Sequence, residues 1–365
     1  MTKLISVVIA TFNGEGVLRG TLSSIAKQVS VFTNEPLDVE ILVIDGGSTD
    51  SSTRIAKEFG ARVLHNPLGH AIAAKYLGFS QAKSEFVCFL DQDERLVSEF
   101  SLSRKLQIFF SWPNTVAALT SGYEFGDTDS TSNRYASEFG DPFSLFRYRT
   151  PNQNPKRVEV VQKRFLAVKV SEMGFTLFDL GSEKRPTLLE VVATGGVIAR
   201  RRVLDLCSGS IELNANSLPL LLTLLPSLSP KVQAFIVSDD PIHHKTASTW
   251  KQVFKKIRWR VSNATEDAQG IGGSGFRGRT RLEKLYLSSR PSELRYTPLA
   301  FLLYVLLFFP IFVDSLQLAL SRRRFSYFMN VVLGYYVVYI SIALFMKKVF
   351  RLPSKIRRYD GTTFS

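Results

Sequence analysis

Cysteine is almost absent: 365 residues hold only Cys88 and Cys207, which excludes a disulfide framework and a cysteine zinc site. Glycine-rich phosphate loops are missing as well. Neither GxGxxG nor GxxxxGK[ST] occurs, which counts against a nicotinamide enzyme or an ATPase. The opening stretch MTKLISVVIATFN has an apolar run too short for a signal-peptide core and no small-residue cleavage site, so no secretory leader is expected. Acidic charge is scarce in one region only. Residues 1–244 carry 25 basic and 26 acidic side chains and residues 245–365 carry 21 and 6, so the final third holds the whole formal charge of +14. A near-neutral remainder argues against a nucleic-acid partner.

What the chain does have is two long apolar runs, both inside that basic third. They are residues 296–320 and 325–346, and each exceeds the roughly 20 residues a helix needs to cross a bilayer. The second contains no charge. The first contains Pro298, Pro310 and Asp314 and is expected to be tilted, kinked or partly re-entrant. Only SRRR, residues 321–324, separates them, so a tight transmembrane hairpin is expected, with two buried core helices as the alternative. Arg277, Arg279, Arg281, Lys284, Arg290 and Arg295 precede the hairpin, and Lys347, Lys348, Arg351, Lys355, Arg357 and Arg358 follow it. By the positive-inside rule the main region and the C-terminus face the cytoplasm, giving a multi-pass membrane protein with two C-terminal spans. The basic excess then meets anionic membrane lipids. The expected organisation is a catalytic region over 1–244, divided near 115 into donor and acceptor halves, a basic amphipathic linker over 245–295, spans within 296–346 and a basic tail over 347–365.

The first hundred residues alternate between two patterns. LISVVIATFN, VEILVIDGGSTD, ARVLHN and FVCFLDQDERL read as strands, and GEGVLRGTLSSIAKQ, SSTRIAKEFG and HAIAAKYLGFSQAKS between them read as helices. Such alternation predicts an α/β fold with a mostly parallel, doubly wound sheet. Ligands of these sheets bind at the carboxyl ends of the strands. Polar residues collect at those ends: Thr11, Asn13 and Glu15, then Asp45, then Asp91 and Asp93. An unpaired carboxylate is costly to bury, so the acids that end FVCFLDQDERL are either solvated at a strand exit or bound to a cation. Two carboxylates one residue apart suit Mg²⁺ or Mn²⁺, with positions left open for phosphate oxygens. Carboxylates without a glycine cradle fit a nucleoside diphosphate bridged to the protein by metal. Asp50 is expected to cap the helix that follows it, and His65 and His70 are read as structural.

SVVIATFNGE, LVIDGGSTDSS, AIAAKYLGFSQA and FLDQDE, in that order and at these spacings, resemble the N-terminal half of glycosyltransferase family 2, whose members have the nucleotide-sugar-binding GT-A fold. The resemblance covers about the first hundred residues. It implies that Thr11, Asn13, Glu15 and Asp45 contact nucleobase and ribose, that Asp91 and Asp93 form the DxD motif with Asp93 the more direct metal ligand, and that Lys75 lies near the diphosphate. Gly46 departs from the pattern, since many members have a second Asp there. EVVATGGVIARRRVL, residues 190–204, resembles the family's acceptor-side strand and turn, where Gly195 and Gly196 would let the backbone approach a sugar; a plain hairpin-like turn is the other reading.

The acceptor half departs further. Where members that glycosylate a hydroxyl show an acidic general base, residues 207–235 hold only Glu212. Either Asp239 or Asp240 of SDDPIHHK supplies the base, or none is needed because the acceptor is an already ionised polyprenyl phosphate. KKIRW, residues 255–259, partly matches the QxxRW element of processive synthases, with Lys255 in the Gln position. TASTWKQVFKKIRWRV is expected to be an interfacial helix with Trp250, Phe254, Ile257 and Val261 on one side. The function expected is an inverting, metal-dependent transferase that uses a cytoplasmic nucleotide-diphosphate sugar and a membrane-bound acceptor, polyprenyl phosphate foremost. Its rivals are transfer to a sugar hydroxyl of a lipid-linked glycan or polysaccharide, and a non-catalytic nucleotide-sugar-binding scaffold.

Overall fold

A computed structural model of the chain describes residues 3–69, 71–148, 151–154, 156, 158–159, 168–170, 174–177, 195–207, 233–237, 239–266 and 291–352. His70, Glu212 and most of the leucine-rich stretch around it lie outside these residues. The chain divides into two compact units. One comprises Met1–Phe125, Asn152–Lys245 and Asp360–Ser365, the other Gly126–Pro151 and Thr246–Tyr359.

The first unit opens with the expected alternation: β1 (Ile5–Thr11), α1 (Glu15–Ala26), β2 (Val39–Asp45), α2 (Ser52–Glu58), β3 (Arg62–His65), α3 (Ala71–Gln81) and β4 (Phe86–Asp91). Next come β5 (Glu94–Leu96), α4 (Ser101–Ser111), β6 (Thr115–Leu119) and β7 (Tyr123–Glu124). Strands β3, β2, β1 and β4 are parallel neighbours in that order. Alternate residues of each strand feed opposite faces, as strand geometry demands. Val8, Leu42, Ile44, Val87 and Phe89 pack with Ala74 and Phe79 of α3. Ile5, Val7, Ile9, Val43, Cys88 and Leu90 pack with Leu18 and Leu22 of α1 and Leu102 and Leu106 of α4. Burial on both faces explains why β1 and β4 read as unbroken apolar runs.

Beyond β4 the sheet becomes mixed. Within the second unit's stretch of sequence lie α5 (Thr131–Glu138) and α6 (Pro142–Tyr148); the sheet then resumes with β8 (Val168–Val170), β9 (Phe175–Leu177) and β10 (Val197–Ala199). After α7 (Arg200–Cys207) come β11 (Gln233–Val237) and β12 (Ile242–His244). β10 runs antiparallel between β4 and β6, and β11, β9 and β8 extend the sheet to nine strands. Among the described residues of 158–171, Val168–Val170 form a strand and Val158 and Glu159 are helical. A separate three-stranded sheet, β5-β12-β7, forms from elements too short for any periodicity to announce.

The second unit is helical. To α5 and α6 it adds α8 (Trp250–Glu266), α9 (Pro291–Leu306), α10 (Phe309–Arg322), a short 3₁₀ turn (Phe325–Phe328) and α11 (Met329–Val349). Tyr135, Phe139, Leu145, Val253, Ile257, Phe301, Val305, Ile311, Leu333 and Val337 share one core. Residues Gly126–Pro151 therefore leave the expected catalytic region 1–244, because their apolar side chains have partners in the C-terminal helices. The apolar side of α8, expected at a membrane surface, packs against this core, with Ile257 buried and Trp250, Phe254 and Val261 half-buried. The expected hairpin of two spans is matched in part, its first run being bent. Among the described residues one helix, Phe325–Val349, is long and apolar enough to cross a bilayer, while the first apolar run is broken at Leu307–Phe308 into Pro298–Leu306 and Phe309–Arg322, bent by 80°.

Candidate functional site

Register alone brings the expected residues to one rim of the first unit. Thr11 pairs with Asp45 across β1 and β2, and Ala10 pairs with Asp91 across β1 and β4. Asp45 is 6% exposed, and its carboxylate accepts the N–H groups of Gly47 at 3.1 Å and Ser48 at 3.1 and 3.2 Å. The loops that follow β1 and β2 are stitched together. Asn13, at φ 47°, donates its N–H to Ser48 Oγ at 2.9 Å, and its Oδ1 accepts from Thr49 N at 2.9 Å. Glu15 N–H donates to Asp50 Oδ2 at 3.0 Å and Ser51 N–H donates to Glu15 Oε2 at 3.0 Å, a reciprocal exchange. Asp50 also accepts from Ser52 N at 2.9 Å, at the start of α2. Partial burial pushes the Asp50 carboxyl up, but the Ser52 hydroxyl and these N–H donors outweigh it and hold the group below its ordinary range.

At the end of β4, Lys75 of α3 lies 2.8 Å from Asp91 Oδ1. Burial draws the ammonium down, yet the carboxylates of Asp91, Glu94 and Asp93 prevail and hold Lys75 above its usual value. Asp93 is buried, and its Oδ2 lies 3.3 Å from His244 Nε2 on β12. The Tyr123 ring lies against His244, with centroids 4.7 Å apart. The pairing of β12 with β5 makes this meeting possible, since it sets His244 opposite Glu94. Sequence spacing did not point to Asp93 and His244 as neighbours, for 150 residues lie between them and the joining strands are three residues long.

Two further residues shape the turn. Gln92 Oε1 accepts from Thr11 Oγ1 at 2.7 Å and Phe12 N at 2.9 Å, and its backbone carbonyl accepts from Thr21 Oγ1 at 2.7 Å. Glu94 has no exposure; it accepts from Asp91 N at 2.9 Å and Tyr123 Oη at 3.2 Å. Burial, then the charge of Asp91, pushes the Glu94 carboxyl up to about 7. The strand-end acids are thus divided between a partly exposed Asp91 and buried, hydrogen-bonded groups that fix the loop.

On the acceptor side, Gly195 has φ 86°, and a Cβ there would lie 2.9 Å from Thr120 Cγ2. Its N–H donates to Phe89 O at 2.6 Å, and Gly196 O accepts from Phe89 N at 3.4 Å. Both glycines extend the β10–β4 ladder. Asp240 is a correction. It is fully buried and ion-paired with Lys105, which is equally buried, and its Oδ2 accepts from Ser101 Oγ at 3.0 Å. A carboxylate so enclosed cannot reach an acceptor proton, so the pair is structural. Asp239, at φ 56°, is exposed.

Among the described residues no group of three or more His, Cys, Asp or Glu side chains converges as a metal cage. The donor set fits a hard divalent ion bound through one or two protein ligands and completed by phosphate oxygens, as Mg²⁺ commonly is.

Residues 6–168 match the family model described as glycosyl transferase family 2. Over these residues, fewer than half of the chain, the protein is similar to glycosyltransferase family 2. Among its curated relatives are the glycosyltransferase GlyG of Streptococcus pneumoniae, 37% identical over 100 residues, which are 26% of this chain and 31% of that one. Another is the poly(ribitol-phosphate) β-N-acetylglucosaminyltransferase TarP of Staphylococcus aureus, 32% identical over 100 residues, 26% of this chain and 29% of that one. The chain thus spans less than a third of the length of these relatives. Among solved structures, the mannosyltransferase PcManGT of Pyrobaculum calidifontis in complex with GDP-Man and Mn²⁺ matches with TM-score 0.48 and 12% identity, covering 97% of this chain and 89% of that one.

Proposed function

We propose that this family 2 domain is an inverting, metal-dependent glycosyltransferase that moves a sugar from a nucleotide-diphosphate donor to a membrane-bound polyprenyl phosphate. One observation carries the reading. Asp45, Lys75, Asp91 and the Asp93–His244 pair belong to one rim of a mostly parallel sheet, where a nucleoside diphosphate and a cation find complementary charge. Thr11, Asn13, Glu15 and Asp45 would line the base and ribose. Asp91 and Asp93, with His244 beside Asp93, would hold Mg²⁺ or Mn²⁺. The ion, when bound, supplies Lewis-acid stabilisation of the departing diphosphate. Lys75 orients Asp91 and adds positive charge near the pyrophosphate. Gly195 and Gly196 would face the acceptor. An acceptor phosphate is ionised near neutral pH, so positioning and charge stabilisation suffice and no base is required, which agrees with the enclosure of Asp240. Donor and reaction would lie in the cytoplasm.

A second reading, transfer to a sugar hydroxyl of a lipid-linked glycan, is favoured by the exposure of Asp239, the remaining candidate base. The Asp93→Asn variant tests the core of both. Titration calorimetry of the purified protein with UDP- and GDP-sugars plus Mn²⁺, alongside transfer to polyprenyl phosphate in vesicles, is expected to show transfer reduced by about 10²-fold or more. Undiminished turnover would sink the metal role. Donor binding without transfer to either acceptor in the wild type would leave a scaffold.

A further inference from the structure

We infer that the helical unit, Gly126–Pro151 with Thr246–Tyr359, is a monotopic anchor. It enters one leaflet of an anionic bilayer, and the turn between α10 and α11 and the end of α11 both stay on the side that holds the sheet. The inference is independent of the reaction proposed above.

The turn is tied to α5 by buried polar contacts. Arg322, at the end of α10, is ion-paired with the fully buried Glu138 of α5, its Nε 2.9 Å from Oε1. Tyr327 Oη donates to the other carboxylate oxygen of Glu138 at 3.0 Å. Tyr135 Oη donates to Asn330 Oδ1 at 2.6 Å, and Asn330 Nδ2 donates to Ser315 Oγ at 3.1 Å. Thus α5 grips α10, the 3₁₀ turn and the start of α11 together. The sequence around α5, residues 126–151, is polar and holds no run able to cross a bilayer. The chain therefore has no means of changing sides between β7 and residue 152, and whatever α5 grips shares that side.

Length decides the rest. At 1.5 Å per residue, Pro298–Leu306 reaches about 13 Å and Phe309–Arg322 about 21 Å, against a hydrocarbon core of about 30 Å, and an 80° bend separates them. The start of α11 packs on α5 and α8, with the rings of Phe254 and Tyr336 4.7 Å apart. α8 carries exposed Lys251, Lys255 and Arg258, which exclude that level from hydrocarbon. From Val337 to Met346, α11 offers only about 15 Å before Lys347, Lys348 and Arg351. Although Phe325–Val349 as a whole is long enough to cross, the part of it beyond that level, like either half of the first run, reaches only one leaflet.

The surface matches that depth. Tyr339, Ile342, Met346 and Val349 are exposed along one side of the later part of α11, with the exposed Phe308 and Phe309 at the break between α9 and α10. Exposed Arg323 and Arg324 at one end of α11 and Lys347, Lys348 and Arg351 at the other set positive charge beside the apolar side, complementary to anionic headgroups.

The test uses the full chain with single cysteines at Thr33→Cys in an exposed loop of the sheet unit, at Arg323→Cys and at Arg351→Cys. Each is probed with a membrane-impermeant maleimide in right-side-out and inside-out vesicles, against the native-cysteine background. All three labelling from the same side only, with the protein retained on the membranes, is the expected result. Arg323→Cys labelling only from the side opposite Thr33→Cys would restore the two-span hairpin and overturn the inference. So would Arg351→Cys labelling only from the opposite side, which makes α11 a span. Recovery of the protein in the soluble fraction as a dimer by light scattering would overturn it too, with a second copy covering the apolar side. Arg323→Lys, which keeps the charge, controls for misfolding by fractionation.

Discussion

Lys105 and Asp240, 135 residues apart in sequence, meet with neither side chain exposed, and Ser101 bonds to both. A buried pair gives little net stability, but breaking it leaves an uncompensated charge. Lys105→Met is therefore expected to lower the unfolding free energy in urea by about 3–5 kcal/mol, and Lys105→Met with Asp240→Leu to recover most of the loss. A double variant as unstable as the single one would contradict this account. The same residue shows a limit of sequence reading. Asp239 and Asp240 are indistinguishable as candidate bases by composition, and only the positive φ of Asp239 and the enclosure of Asp240 separate them. Thr11, Asp45 and Asp91 were legible because each ends an apolar strand. Gln92 and Glu94 were not, because their work is hydrogen bonding to groups distant in sequence.

Among the elements, the close meeting of α10 and α11 depends on Gly334. A Cβ there would lie 2.3 Å from Ile311 Cδ1, so a larger side chain forces the buried Ile311 side chain or a helix to shift. Gly334→Val is expected to cost about 1–3 kcal/mol through overpacking, read as a lowered melting temperature, with Ile311→Ala in the same chain returning part of it. Equal melting of wild type and Gly334→Val would show that the helices are not in register as described. Elements with long patterns were legible: β1, β2 and β4, buried on both faces, and α1 between them. β5, β7 and β12 were not, since two or three residues carry no period, yet they seat His244 beside Asp93.

For the molecule as a whole, charge and apolar surface are concentrated in the final third. A basic residue near an anionic surface contributes about 1 kcal/mol to binding, so Lys347→Gln with Lys348→Gln is expected to weaken binding to anionic vesicles about 30-fold at low salt. The deficit should shrink as salt screens the surface, and a salt-independent one would point to lost packing instead. The sequence by itself determined the parallel α/β half, the acids at its strand ends, the resemblance to a family and the basic, apolar character of the C-terminal third. These follow from short-range rules, in which strand period, burial and charge are local properties of the chain. It did not determine which acids stay open to solvent, that residues 126–151 join the C-terminal helices, or that the first apolar run bends by 80°. Tertiary structure decided those. Partners such as Glu138 and Arg322, or Asp93 and His244, lie 150 residues or more apart, and no local pattern encodes a contact that only folding brings about.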